Sequence, residues 1–171
     1  MTPDDRDGDA LDGSFEDLFR QAYPGLVRVL AVAGGDAQVA EDCVQEAFSR
    51  AYTRWRRIRR YDDPSAWVRR VALNLLIDHQ RKAARGRRAV ARMDVETAAP
   101  PTERVSFDLA AALAGLPAQQ RTAAALFYVD NLSVAEVADT MKLSPGAVKY
   151  HLHQARETLR PALAVHGEDL S

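Results

Sequence analysis

Of 171 residues only one, Cys43, is a cysteine, so no internal disulfide can form. The four histidines (His79, His151, His153 and His166) are scattered, and His151 and His153, two apart, diverge on a helix. A structural zinc site is therefore not expected, and no cofactor is implied. None of these histidines has a Ser, Cys or carboxylate at a telling spacing, which argues against an enzyme. No apolar run approaches the ~20 residues a membrane span needs. Residues 1–13 are acidic and polar, the opposite of a secretory signal, so a cytoplasmic protein without membrane insertion is expected. Proline and glycine are sparse outside a few places, and the long apolar patterns have helical rather than alternating period. An all-α fold follows, long enough for one domain or two small ones.

Lysine is also scarce: three Lys stand against 20 Arg, and the net charge is −1. That total hides a strong asymmetry. Residues 54–92 hold 13 Arg or Lys against three Asp, a balance of +10, while the rest of the chain balances at −11. A basic block of this kind, threaded with Trp55, Tyr61 and Trp67, points to a polyanionic partner.

Along the chain, residues 1–13 carry five Asp and almost nothing apolar, and read as a disordered tail. A helix is predicted from Ser14, with Pro24 inside it, up to the break Gly34-Gly35-Asp36. A second runs from Ala37 to about Ile58. Its buried stripe is Ala40, Val44, Ala47, Phe48, Ala51 and Trp55, and its opposite face is acidic at first and basic towards the end, an order that also suits the helix dipole. A basic loop, Arg56 to Pro64, follows. Ser65 is predicted to cap a helix reaching about Arg85, apolar on two faces and so central to a bundle, with Asn74 and Asp78 in need of polar partners. Residues 86–105 read as a flexible linker. Helices over 107–116 and 119–128 open a second domain at Ser106 that extends to about 166.

The strongest local signal is a helix-turn-helix over 132–160. Ser133 and Glu136 make the S-x-x-E capping box, with Val134, Val137, Ala138 and Met141 on one face. After the turn Lys142-Leu143, Ser144 is the next N-cap and Pro145 takes the first helical position. Val148, Leu152, Ala155 and Leu159 form the buried stripe, which turns Gly146, Ala147, Tyr150, His153, Gln154 and Glu157 outward, with Lys149 and Arg156 at the edges where phosphates lie. An ordinary αα-hairpin shares the caps and stripes; the short turn and the small Gly146-Ala147 entry favour DNA binding.

In this order the motifs resemble the extracytoplasmic-function sigma factors of bacterial RNA polymerase, over residues 14–162. The segment from Ala40 to Phe48 is similar to region 2.2. Pro64 to Arg81 resembles regions 2.3–2.4, Leu116-Pro117 with Arg121 and Leu126 the start of region 4, and Asn131 to Arg160 region 4.2. The resemblance implies a region 2 domain (14–85) and a region 4 domain (106–166), and a non-catalytic subunit that directs promoter-specific initiation. It implies that Glu41, Asp42, Gln45 and Glu46 dock on the β′ coiled coil of core polymerase, with the β flap as a further contact. For the −10 element, including its single-stranded non-template strand, it implies Arg59, Arg60, Tyr61, Trp67, Arg69, Arg70, Asn74 and Arg81. Tyr61, with Arg60, is the candidate for holding a flipped base. Trp67, on an apolar stripe, reads as a core residue before a DNA contact, and Asn74 equally as a helix-to-helix hydrogen bond. For the −35 element it implies Ser144, Gly146, Ala147, Lys149, Tyr150, His153, Gln154 and Arg156. An anti-sigma factor is the expected regulator, and Asp94, Glu96 and Glu103 in the linker either imitate RNA charge or serve as a spacer.

Two features depart from the pattern. Val148-Lys149 is followed by Tyr150-His151 where the family often has Ser-Arg, so the −35 sequence does not carry over. The second domain is neutral, with five basic and five acidic residues over 106–166, and is expected to bind DNA weakly alone. Cys43 reads as a small buried hydrophobe before a redox sensor. The alternatives are a stand-alone helix-turn-helix regulator, against which the acidic helix and basic aromatic loop argue, and a sigma-like adaptor.

Overall fold

A computed structural model describes the backbone of residues 5–90 and 107–167, and the side chains of residues 14–89 and 111–161. Among the described residues there is no strand. Helix α1 spans Asp5–Gly34, α2 Ala37–Thr53, α3 Trp55–Ile58 and α4 Pro64–Val90. The second half contains α5 (Phe107–Ala114), α6 (Ala118–Ala124), a π turn (Ala125–Val129), α7 (Val134–Met141) and α8 (Pro145–Gly167).

Several boundaries differ from those expected. α1 starts at Asp5 rather than Ser14, so most of the supposed disordered tail is helical; an acidic sequence suits the positive end of a helix dipole. α2 stops at Thr53, where Arg54 leaves helical geometry and the Thr53 hydroxyl donates to the Arg50 carbonyl at 2.9 Å. The short α3 then carries Trp55 and Ile58 into the core. The cap of α4 is Asp63, not Ser65: its carboxylate accepts the Ala66 N–H at 3.1 Å and the Ser65 hydroxyl. Pro64 takes the first helical position, where no N–H is needed. α4 reaches Val90, so part of the expected linker is helix, and the remainder, with Asp94, Glu96 and Glu103, lies outside the described residues. The helix expected over 119–128 starts at Ala118 and ends in a π turn, closed by the Asp130 N–H on the Ala125 carbonyl at 3.2 Å.

Two glycines make the α1–α2 corner. Gly35, at φ 77°, takes the left-handed position after the helix and donates to the Ala31 carbonyl. Gly34 lies where a Cβ would stand 2.8 Å from Leu76 Cδ1, so its bareness lets the end of α1 approach α4. Asp36 then caps α2 by accepting the Val39 N–H at 3.0 Å.

One apolar core runs through both halves. Leu26, Val29 and Leu30 of α1, Val44, Ala47 and Phe48 of α2, and Val68, Leu73 and Leu76 of α4 are buried. The same cluster continues into Leu126, Val137, Ala138, Val148 and Leu152. The second domain packs on α1 and α4, a placement that the sequence left open. Arg121 is a tie between them, its guanidinium donating to the Ala33 carbonyl at 2.8 Å and the Ala114 carbonyl at 3.1 Å.

Candidate polymerase and nucleic-acid interface

The acidic row of α2 is held by neighbours rather than free. Glu41 and Gln45 stand one turn apart and share Tyr23 of α1: the Tyr23 hydroxyl donates to Glu41 Oε1 at 3.3 Å and accepts from Gln45 Nε2 at 3.3 Å. Asp42 accepts from Gln38 at 3.1 Å, and Glu46 pairs with Arg50 at 2.8 Å. Asp42, Gln45 and Glu46 are exposed and Glu41 half-buried, so all four line one face. Tyr23 lies 18 and 22 residues from these partners, so no local sequence signal marks this polar role. Cys43, beside the row, is buried, and burial, with the charge of Asp42, pushes its thiol up, which disfavours a reactive thiolate.

The basic end follows at once. Arg54, Arg56, Arg57, Arg59 and Arg60 are all exposed around the buried anchors Trp55 and Ile58. The Tyr61 N–H donates to the Ile58 carbonyl at 3.0 Å, which fixes the turn and leaves the ring 37% exposed. Trp67 is half-buried, packed on the core edge, so its core reading gains weight. Asn74 is half-buried and Asp78 exposed, so the buried partners expected for them are not required. Arg81 is exposed, roughly 16 Å further along α4 than Arg70 at 1.5 Å per residue.

Arg69 and Arg70 do not point freely outward. Arg69 Nε pairs with Asp130 Oδ2 at 2.7 Å, with both side chains largely buried, and Arg70 pairs with Asp139 at 2.7 Å. Burial pushes the Asp130 carboxyl above its ordinary value, against the pull of Arg69 and Arg28.

Asp63 titrates the other way. Burial acts to raise it, but the hydrogen bonds from Ser65 and Ala66 and the charge of Arg69 hold it below 3.8. A depressed carboxyl contributes stability that is present above its unfolded pKa and is lost as pH falls through the folded one. Asp63→Asn is therefore expected to lose less stability than the wild type between about pH 5 and about pH 3, read by urea unfolding at each pH. Equal losses in the two proteins would remove Asp63 from the acid response.

The helix-turn-helix is built as its caps predict. The Ser133 hydroxyl accepts the Glu136 N–H at 3.2 Å, and Glu136 accepts the Ser133 N–H at 2.8 Å. Hydrogen bonding to the backbone N–H and to the side chain of Ser133 holds the Glu136 carboxyl below its ordinary value. Lys142 closes α7 in the left-handed conformation, and Ser144 accepts the Ala147 N–H at 3.1 Å to start α8. Val148, Leu152, Ala155 and Leu159 are buried. Ser144, Gly146, Lys149, Tyr150, His153 and Arg156 are exposed, with Ala147 and Gln154 half-buried beside them. Tyr150, at 60% exposure, is the most open of the exposed large hydrophobic residues among those described.

Among the described residues, no helix is long and apolar enough to cross a membrane, and no group of three or more His, Cys, Asp or Glu is placed to hold a metal ion. The fold and its surfaces define a two-domain, all-helical DNA-binding protein. The family model Sigma-70 region 2 matches residues 18–86, and the model Sigma-70, region 4 matches residues 106–159. The chain is 31% identical to the ECF RNA polymerase sigma factor SigE of Mycolicibacterium smegmatis, over 91% of this chain and 64% of that protein's length. It is also 31% identical to the ECF RNA polymerase sigma factor SigW of Bacillus subtilis, over 75% of this chain and 78% of that protein. The sigma factor RpoE of Bartonella quintana, solved with the anti-sigma factor NepR, shares the fold at a TM-score of 0.74 and 23% identity, over 89% of this chain and 98% of that one. The chain belongs to the extracytoplasmic-function sigma factors, the non-catalytic subunits that give RNA polymerase promoter-specific initiation.

Proposed function

We propose that this chain, in the cytoplasm, docks on the β′ coiled coil of core RNA polymerase through Glu41, Asp42, Gln45 and Glu46 and on the β flap through its second domain. It then opens the −10 element with the Arg59–Tyr61 turn and the outer residues of α4. Ser144, Gly146, Ala147, Lys149, Tyr150, His153, Gln154 and Arg156 read the −35 element. The observation that carries this reading is the sorting of the surface: the acidic row of α2 and the outer side of α8 are exposed, while the apolar stripes of both helices are buried. Complementary charge on the docking face sets partner and register, and the −35 helix contributes base-edge contacts once polymerase supplies the affinity its neutral domain lacks. An anti-sigma factor is part of the proposal as the regulator.

Run-off transcription with purified core enzyme on a promoter library tests this directly. Initiation from a defined subset of promoters, absent with core alone, is the expected result. Failure to bind core, or transcription no different from core alone, overturns it. Tight duplex binding without polymerase would instead favour a stand-alone regulator.

A further inference from the structure

Two arginines that the resemblance assigns to the −10 element are occupied from within the chain. Arg69 and Arg70 lie on α4 of the first domain; their partners, 61 and 69 residues away in sequence, are Asp130 after the π turn and Asp139 on α7. Both contacts are direct hydrogen-bonded ion pairs at 2.7 Å, a distance suited equally to a guanidinium on a phosphate oxygen. The pairs sit on the seam where Leu126, Val137 and Ala138 join the core of the first domain, so the carboxylates are carried there by apolar packing.

We propose that Asp130 and Asp139 act as internal stand-ins for backbone phosphates, closing the second domain over the −10 surface of α4 until polymerase separates the two. The inference rests on the proposed function, with Arg69 and Arg70 of α4 taken as the residues that hold backbone phosphates of the −10 element. The mask is one-sided. Asp42, Gln45 and Glu46, the Arg59–Tyr61 turn, and Lys149, Tyr150 and His153 of α8 all remain exposed in the closed form. Core polymerase therefore meets the docking face of the closed chain first, and the arginines become available only after docking. The latch is also built to release. Closure leaves Arg70 Nε buried without a hydrogen-bond partner among the described residues, and an unmet buried donor lowers the cost of opening. Arg69 and Arg70 exchange one set of oxygen acceptors for another, so neither guanidinium is left unpaired when DNA replaces the carboxylates.

The test uses the full chain without polymerase: wild type, Asp139→Asn, and Asp130→Asn/Asp139→Asn. Asp139 is 75% exposed, so its single variant folds; circular dichroism checks the double. Two readouts are taken: the radius of gyration by small-angle X-ray scattering, and the anisotropy of a fluorescein-labelled single-stranded DNA pool of random sequence. The expected result is a larger radius for the double variant and binding about tenfold tighter than wild type, because the apparent affinity scales with the open fraction. Asp139→Asn falls between the two. Adding Arg70→Asp to Asp139→Arg rebuilds the pair with reversed charges and is expected to return the radius to the wild-type value. A wild type as extended as the double variant overturns closure. A double variant that stays compact overturns the role of the two carboxylates, and one that opens without tighter DNA binding overturns the masking. Run-off activity of the wild type is scored separately: its absence with a compact wild-type chain rejects the proposed function while the closed state stands.

Discussion

Replacing both Asp42 and Glu46 by arginine is expected to abolish binding of core RNA polymerase while the helical fold persists. The two halves of that result have different physical origins. In the isolated chain Glu46 pairs with Arg50 across an exposed one-turn spacing, the two side chains being 51% and 46% exposed, and such a surface pair contributes about 0–1 kcal/mol. Asp42 accepts one bond from the exposed Gln38, and neither side chain touches the stripe of Ala40, Val44 and Ala47. Stability should therefore change little in a thermal or urea melt. In the proposed docking the same carboxylates would meet basic side chains out of water, where breaking one charge pair costs about 2–5 kcal/mol. Losing two and adding two repulsive charges places the affinity loss at no less than about a thousandfold. Titration of labelled core enzyme reads it; holoenzyme formed at wild-type concentrations would remove this face from the interface.

The second large effect falls on promoter opening. Tyr61→Ala is expected to slow formation of the open complex by about 5- to 150-fold, the equivalent of about 1–3 kcal/mol of base stacking, while core binding is unchanged. The tyrosine ring is 37% exposed, beside exposed Arg59 and Arg60, on a turn anchored by the buried Ile58. Tyr61→Phe keeps the stacking face and should recover most of the rate, since the hydroxyl is not what the base packs against. Fluorescence of a 2-aminopurine placed in the −10 region follows the opening step. Wild-type opening by Tyr61→Ala would move the base-holding role to the neighbouring arginines.

The exposed acidic row of α2 and the caps and stripe of the helix-turn-helix were legible because their determinants are local. A serine three residues before a glutamate writes its own cap, and an apolar stripe at helical spacing dictates which residues face out. The caps at Ser133 and Ser144 and the buried set Val148, Leu152, Ala155 and Leu159 follow from that alone. The break at Arg54 and the cap at Asp63 were misplaced for a related reason. Both turn on competition between adjacent candidates, Thr53 against a continuing helix and Asp63 against Ser65. Tyr23 escaped notice as a polar residue because it reaches Glu41 and Gln45 across 18 and 22 residues of chain.

The amino-acid sequence by itself determined the helices, the sorting of acidic and basic charge along them, and the family to which the chain belongs. All of these rest on interactions within one or two turns, whose geometry is the same wherever the helix lies. Only the tertiary structure decided that the second domain packs on α1 and α4, and that Arg69 and Arg70 face Asp130 and Asp139. Pairings across 61 and 69 residues exist only once Leu126, Val137 and Ala138 are buried against the first domain, and no local pattern encodes which exposed arginine a distant carboxylate will meet.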